Sequence, residues 1–201
     1  MKNLFLIGFM LISSYAFAQI EGYKVGDVVK DFSLKNVDTK SISLADYNKA
    51  KGFIVVFTCN TCPVAKAYQD RVSALNSTYS SKGYPVIAIN PNDAGIVPDE
   101  SFEKMQALSK AKNFNFPYLF DPNHIVTKQF GALKTPHVFL LSKTDKGNVV
   151  EYIGAIDNDS EGKNPEKINY VQNAINDLST GKKPTVSSTR AVGCSIKWKK
   201  G

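Results

Sequence analysis

Two cysteines three positions apart, in Cys59-Asn60-Thr61-Cys62-Pro63, carry the chemistry written most plainly into this chain. A C-x-x-C pair suits two-electron exchange between a dithiol and a disulfide. One thiolate attacks a disulfide sulfur, and the second sulfur, already within reach, displaces the mixed intermediate. The pair follows the apolar run Phe53-Ile54-Val55-Val56-Phe57 and precedes a helical pattern, so the sulfurs stand where strand gives way to helix. There Cys59 is close to unpaired backbone N–H groups and the positive end of a helix dipole, which favour the thiolate and lower its pKa. Cys59 is therefore the expected nucleophile. Cys62, one helical turn on, is the expected resolving thiol that closes a Cys59–Cys62 disulfide. Pro63 is tolerated because the first helical turn has no use for its N–H.

Other residues able to take part are few. Cys194 makes the cysteine count odd, so one thiol is left over, resolves from a distance or pairs with another molecule. Lys66, one turn beyond Cys62, is placed to stabilise a thiolate or to serve as a solvated helix lysine. A zinc or copper site would have to join Cys59 and Cys62 to Cys194, His124 or His137, and a single C-x-x-C without a second matched pair is a poor zinc signature. No metal ligand is assigned. With no Gly-rich phosphate loop and no paired carboxylates, no cofactor is expected.

The elements that must hold these sulfurs read as follows. Residues 19–50 form an N-terminal arm with short alternating strands around 31–34 and 41–44. The run 53–57 is continuous enough for a central strand buried on both faces. Val64, Ala67, Tyr68, Val72, Leu75 and Tyr79 recur at helical spacing up to Gly83. A second buried strand spans 85–90, with Asn90-Pro91-Asn92-Asp93 leading into a loop that reads either as a neighbour of the motif or as plain loop. Further expectations are a helix from Ser101 to about Asn113, a short strand at 118–120, a helical turn over 123–130 and a strand at 137–141. A hairpin turn at Asp145-Lys146-Gly147-Asn148, a polar loop over 157–166, a helix over 168–178 and a polar tail from Gly181 follow. The alternation predicts an α/β or α+β sandwich, taken as an α/β fold, an α/β/α sandwich with a central mixed sheet.

Residues 1–18 read as a signal peptide: Lys2, an apolar stretch from Leu4 to Leu11, then Ala16-Phe17-Ala18 before Gln19. The division is thus leader 1–18, domain 19–180 and tail 181–201, exported to the periplasm with no stable membrane span after cleavage. All three cysteines then meet an oxidising compartment. The formal charge of +7 becomes +6 without Lys2, but it lies in tails and turns rather than along an aromatic-studded stripe, so no nucleic-acid partner is expected.

These landmarks resemble the peroxiredoxin-like redoxin family (alkyl hydroperoxide reductase/thiol-specific antioxidant) of thioredoxin-fold proteins. The likeness rests on Val25-Gly26-Asp27 through Asp31-Phe32-Ser33-Leu34, strand 53–57 with its C-x-x-C, Lys134-Thr135-Pro136 and the hairpin at 145–150. The tail Gly193-Cys194-Ser195-Ile196-Lys197-Trp198 is similar to the ending of one peroxiredoxin-like subgroup. The resemblance implies a cis Pro136 facing the sulfurs, with Thr135 and Pro136 contacting substrate through backbone pairing. It also implies an exported thiol–disulfide oxidoreductase acting on protein disulfide or dithiol substrates and an unidentified redox partner. Two departures stand out. The buried carboxylate that thioredoxins keep behind the motif is missing from residues 53–58, which leaves proton transfer to water, Lys66 or a more distant group. Asn60-Thr61 replaces the more familiar dipeptides between the cysteines, which leaves the direction of electron flow open. The peroxiredoxin threonine is also replaced, by Cys59. The alternative readings are a thiol peroxidase with Cys62 as peroxidatic cysteine, and a metal-binding thioredoxin-fold protein. The peroxidase reading lacks a placed arginine, since the chain has only Arg71 and Arg190 and Arg71 reads as a surface residue.

Overall fold

The computed structural model describes residues 22–199; the leader expected over 1–18 lies outside them. Strands β1 (Val28–Val29), β2 (Ser33–Asn36) and β3 (Ser41–Ser43) form the N-terminal arm. β4 (Gly52–Phe57) leads through the cysteine motif into α1 (Pro63–Tyr79), then β5 (Val86–Asn90), α2 (Phe102–Ala111) and β6 (Tyr118–Phe120). After these come α3 (Ile125–Phe130), β7 (Lys134–Thr135), β8 (His137–Thr144), β9 (Gly147–Gly154), α4 (Tyr170–Ser179) and β10 (Cys194–Ser195). The first nine strands other than β7 make an eight-stranded sheet in the order β1-β9-β8-β4-β5-β6-β2-β3. β4–β5 and β5–β6 are parallel and the remaining pairings antiparallel, which gives the mixed sheet the sequence predicts.

β4 is fully buried along its length because helices and loops cover both faces. Its side chains alternate between two apolar layers, as the two-residue period of a strand requires. Ile54 and Val56 join Tyr68, Val72 and Leu75 of α1 and Val171 and Ile175 of α4. Phe53, Val55 and Phe57 join Phe130, Phe139 and Ile89 on the other side. The result fixes the C-terminal end of β4, and with it the start of α1, from both faces.

Three local readings are corrected. The hairpin turn is only Asp145-Lys146, with Thr144 already paired to Gly147 in the β8–β9 ladder. Arg71 is not a free surface residue: its guanidinium contacts both Asp157 carboxylate oxygens at 2.9 and 3.0 Å, and Tyr68 donates to the same aspartate at 2.6 Å. The tail after Gly181 is not a solvated appendage either. Ile153 N–H donates to Ser187 and Thr189 N–H to Ile153, which lays the tail beside β9 before it crosses to the motif.

Candidate active site

The cysteines lie at the C-terminal end of β4, where Thr58 N–H still donates to Ile89 of β5 at 2.9 Å. Cys62 is the N-cap of α1 and Pro63 opens the helix, so the helix starts on the second cysteine rather than the first. Cys59 and Cys62 are both buried and pack with Ala65, Val64 and Cys194. The expected Cys59–Cys62 disulfide is not the one formed: Cys62 is bonded to Cys194, with 6.0 Å between their Cα atoms, and Cys59 is free. That Cα separation falls in the usual disulfide range. The pairing arises because β10 runs antiparallel to β7 with Cys194 opposite Thr135, which carries the tail sulfur onto Cys62.

Thr135 sits at the centre of this cluster. Its hydroxyl and the Cys59 sulfur are 3.1 Å apart and share a hydrogen bond, while the Cys62 sulfur lies 3.3 Å from its carbonyl oxygen. The Thr135–Pro136 peptide is cis, as the resemblance implied. Thr135 thus touches both sulfurs. Lys66 does not join them. Its side chain is exposed, and its role in the first turn is a backbone one, donating to the Cys62 carbonyl at 2.9 Å.

The missing carboxylate is present, but from an unexpected place. Glu100 closes a short 3-10 turn, Pro98–Glu100, ahead of α2 and is fully buried beneath the motif. It accepts hydrogen bonds from Asn60 N–H at 2.8 Å, Thr61 N–H at 3.0 Å, the Thr61 hydroxyl, and the Asn90 amide at 2.9 Å. Asn60 in turn donates to the Asp99 carbonyl and accepts from the Tyr118 hydroxyl, each at 2.8 Å. Both residues between the cysteines are therefore held by one loop. Nothing local to the motif signals Glu100; only the end of the parallel strand β5, carrying Asn90, hints that the following loop returns here.

The electrostatics reverse the expectation for Cys59. Burial first, and then the Glu100 charge, push its thiol above the usual range; hydrogen bonds with Thr135 and with the Cys62 and Thr61 backbones only partly offset this. Cys62, at the N-terminus of a 17-residue helix, has the position that stabilises an anion once its disulfide opens. Of the histidines considered as ligands, His137 accepts from Leu133 N–H at 3.5 Å, and His124 packs on Trp198 with ring centres 5.0 Å apart. Among the described residues no group of three or more His, Cys, Asp or Glu side chains is arranged to hold a metal ion.

A mixed sheet that ends on a buried C-x-x-C at a helix start, faced by a cis X-Pro bond, defines a thioredoxin-like thiol redox fold. The chain belongs to the AhpC/TSA family, whose profile matches residues 25–152. Thiol-disulfide oxidoreductase ResA of Oceanobacillus iheyensis is 28% identical over 105 residues, 50% of this chain and 50% of ResA. The chain thus matches about half the length of that curated relative. A hypothetical protein of Sinorhizobium meliloti 1021 superposes with a TM-score of 0.82 at 28% identity, covering 90% of this chain and 98% of that one. A Chlorobium tepidum protein assigned as thiol:disulfide interchange protein DsbE gives a TM-score of 0.54 at 22% identity, covering 65% and 84%; it is similar in fold. Among the described residues no helix is long and apolar enough to cross a membrane.

Proposed function

We propose that this is an exported thiol–disulfide oxidoreductase that exchanges electrons between protein dithiols or disulfides and a separate redox partner through Cys59 and Cys62, with Cys194 as an auxiliary sulfur. The observation that carries the reading is the convergence of three sulfurs on Thr135. Thr135 and Pro136 are the substrate-contacting backbone. Export rests on the leader read in residues 1–18, and recovery of a periplasmic product beginning at Gln19 tests it.

The geometry favours Cys62 as the sulfur that meets a substrate and Cys59 as the resolver. Cys62 caps the helix and already holds a cysteine from a strand laid against Thr135. In the reducing direction, the Cys62 thiolate attacks a substrate disulfide and expels one substrate thiolate. Cys59, its sulfur hydrogen-bonded to Thr135 and its proton lost to solvent, then attacks Cys62, expels the second and leaves a Cys59–Cys62 disulfide. A partner dithiol resets the pair by two further exchanges, so electrons balance. Cys62→Ser should abolish exchange with a protein disulfide, whereas Cys59→Ser should accumulate mixed disulfides on Cys62. The converse pattern would return Cys59 to the nucleophile's role, and full activity in both variants would sink the proposal.

A thiol peroxidase is the second reading, because a Cys62–Cys194 bond is what a peroxidatic Cys62 with a distant resolver would leave. Against it, Arg71 is occupied by Asp157. Timing thiol loss in reduced protein with hydrogen peroxide and, separately, with a protein disulfide separates the two.

A further inference from the structure

The tail lies in the site as a guest would. Residues 194–195 pair antiparallel with 134–135 on one side, extended by Ile196 N–H donating to Leu133. On the other side Lys197 N–H donates to the Asn92 side chain and its carbonyl accepts from Asp93 N–H, both at 2.9 Å. The segment is therefore threaded between the 131–135 loop and the loop after β5, with its cysteine bonded to Cys62. Its side chains fit unequally. Gly193 lies so near Thr135 that an added Cβ would fall 2.2 Å from the Thr135 carbonyl oxygen. Ile196 is buried in the layer that holds Phe57 and Phe130. Ser195 and Lys197 face solvent.

We infer that residues 193–197 are a tethered occupant of the substrate cleft, and that the cleft takes extended cysteine peptides with glycine before the cysteine and an aliphatic residue two positions after it. The inference rests on the proposed exchange activity and deepens it. Backbone pairing to 133–135 supplies affinity, while the Gly193 and Ile196 positions supply selectivity, as in other strand-addition sites. The oxidised chain is closed. It opens when the Cys59 thiolate attacks Cys62: the Cys62–Cys194 bond breaks, a Cys59–Cys62 bond forms, and Cys194 leaves as a thiolate with no net change in electrons.

The test uses the full mature chain carrying Cys59→Ser, Cys194→Ser and Gly193→Val, so that Cys62 is the sole thiol and the tail is displaced from the cleft. The probes are mixed disulfides of thionitrobenzoate with the peptide Ala-Val-Gly-Cys-Ser-Ile-Lys-Trp, with the same peptide carrying Asp for Ile or Val for Gly, and with glutathione. Release of the coloured thiolate reports attack by Cys62. The expected result is that the unaltered peptide reacts at least about tenfold faster than either altered peptide, the discrimination that one buried aliphatic side chain supplies. Equal rates with all probes would overturn the cleft assignment and leave the exchange activity standing. A Cys62 that reacts with no probe when folded, yet reacts with all of them in denaturant, would overturn both.

Discussion

Glu100 bears on two properties at once. Each of its oxygens accepts two hydrogen bonds, so either orientation of a glutamine amide turns an NH2 group toward two donors. Glu100→Gln should therefore cost about 2–3 kcal/mol of stability by urea unfolding, the penalty for donors left facing a donor. The same change removes the charge that helps to raise the Cys59 pKa, so Cys59 should titrate lower in the variant. In the oxidised protein Cys59 is the free thiol, and thiolate absorbance follows it directly. His137 gives a pH prediction. Burial lowers its pKa from 6.5 to about 4. The folded state thus holds the neutral ring while the unfolded chain takes up a proton below 6.5. The stabilisation is complete above that pH and is lost as pH falls toward 4, by about 3 kcal/mol in all. Urea midpoints at pH 7 and 4.5, compared with those of His137→Gln, isolate that part of the slope.

At the scale of elements, what the sequence discloses depends on how local the cause is. β4 was legible because a short apolar run of β-branched and aromatic residues after Lys51-Gly52 suits a strand covered on both faces, and α1 because Tyr68, Val72, Leu75 and Tyr79 keep a helical period. The Thr135–Pro136 geometry was legible through resemblance. β10 was not. A two-residue strand has no period, and its place is set by one close approach at Gly193, one buried side chain at Ile196 and one disulfide, all made with residues far along the chain. Glu100 was hidden for the same reason: its partners Asn60 and Thr61 are some forty residues away. Gly193→Val should force β10 off β7. Hydrogen exchange should then show Ile196 N–H losing protection while the β4–β8 amides keep theirs. Unchanged protection at Ile196 would mean that the disulfide alone holds the tail.

For the whole molecule, the Cys62–Cys194 bond is the longest-range covalent constraint, closing a sequence separation of 132 residues. Chain-entropy reasoning assigns a closure of that length about 5 kcal/mol. Cys194→Ser should lower the free energy of unfolding by up to that amount, and reducing the wild-type protein should reproduce most of the loss. A cost near zero would mean that the bond is strained in the folded state or that the unfolded chain is already compact. The two apolar layers on either side of the sheet make contacts of their own and should stay folded without it.

That separation also sets an order of events. A chain made from its N-terminus exposes Cys59 and Cys62 together, while Cys194 follows 132 residues later. At synthesis rates of roughly 5–20 residues per second, the interval is on the order of ten seconds. An oxidant acting on the nascent polypeptide therefore finds only the vicinal pair, and the final linkage must be reached by rearrangement once the last strand arrives. A chain oxidised that early would thus be its own first client.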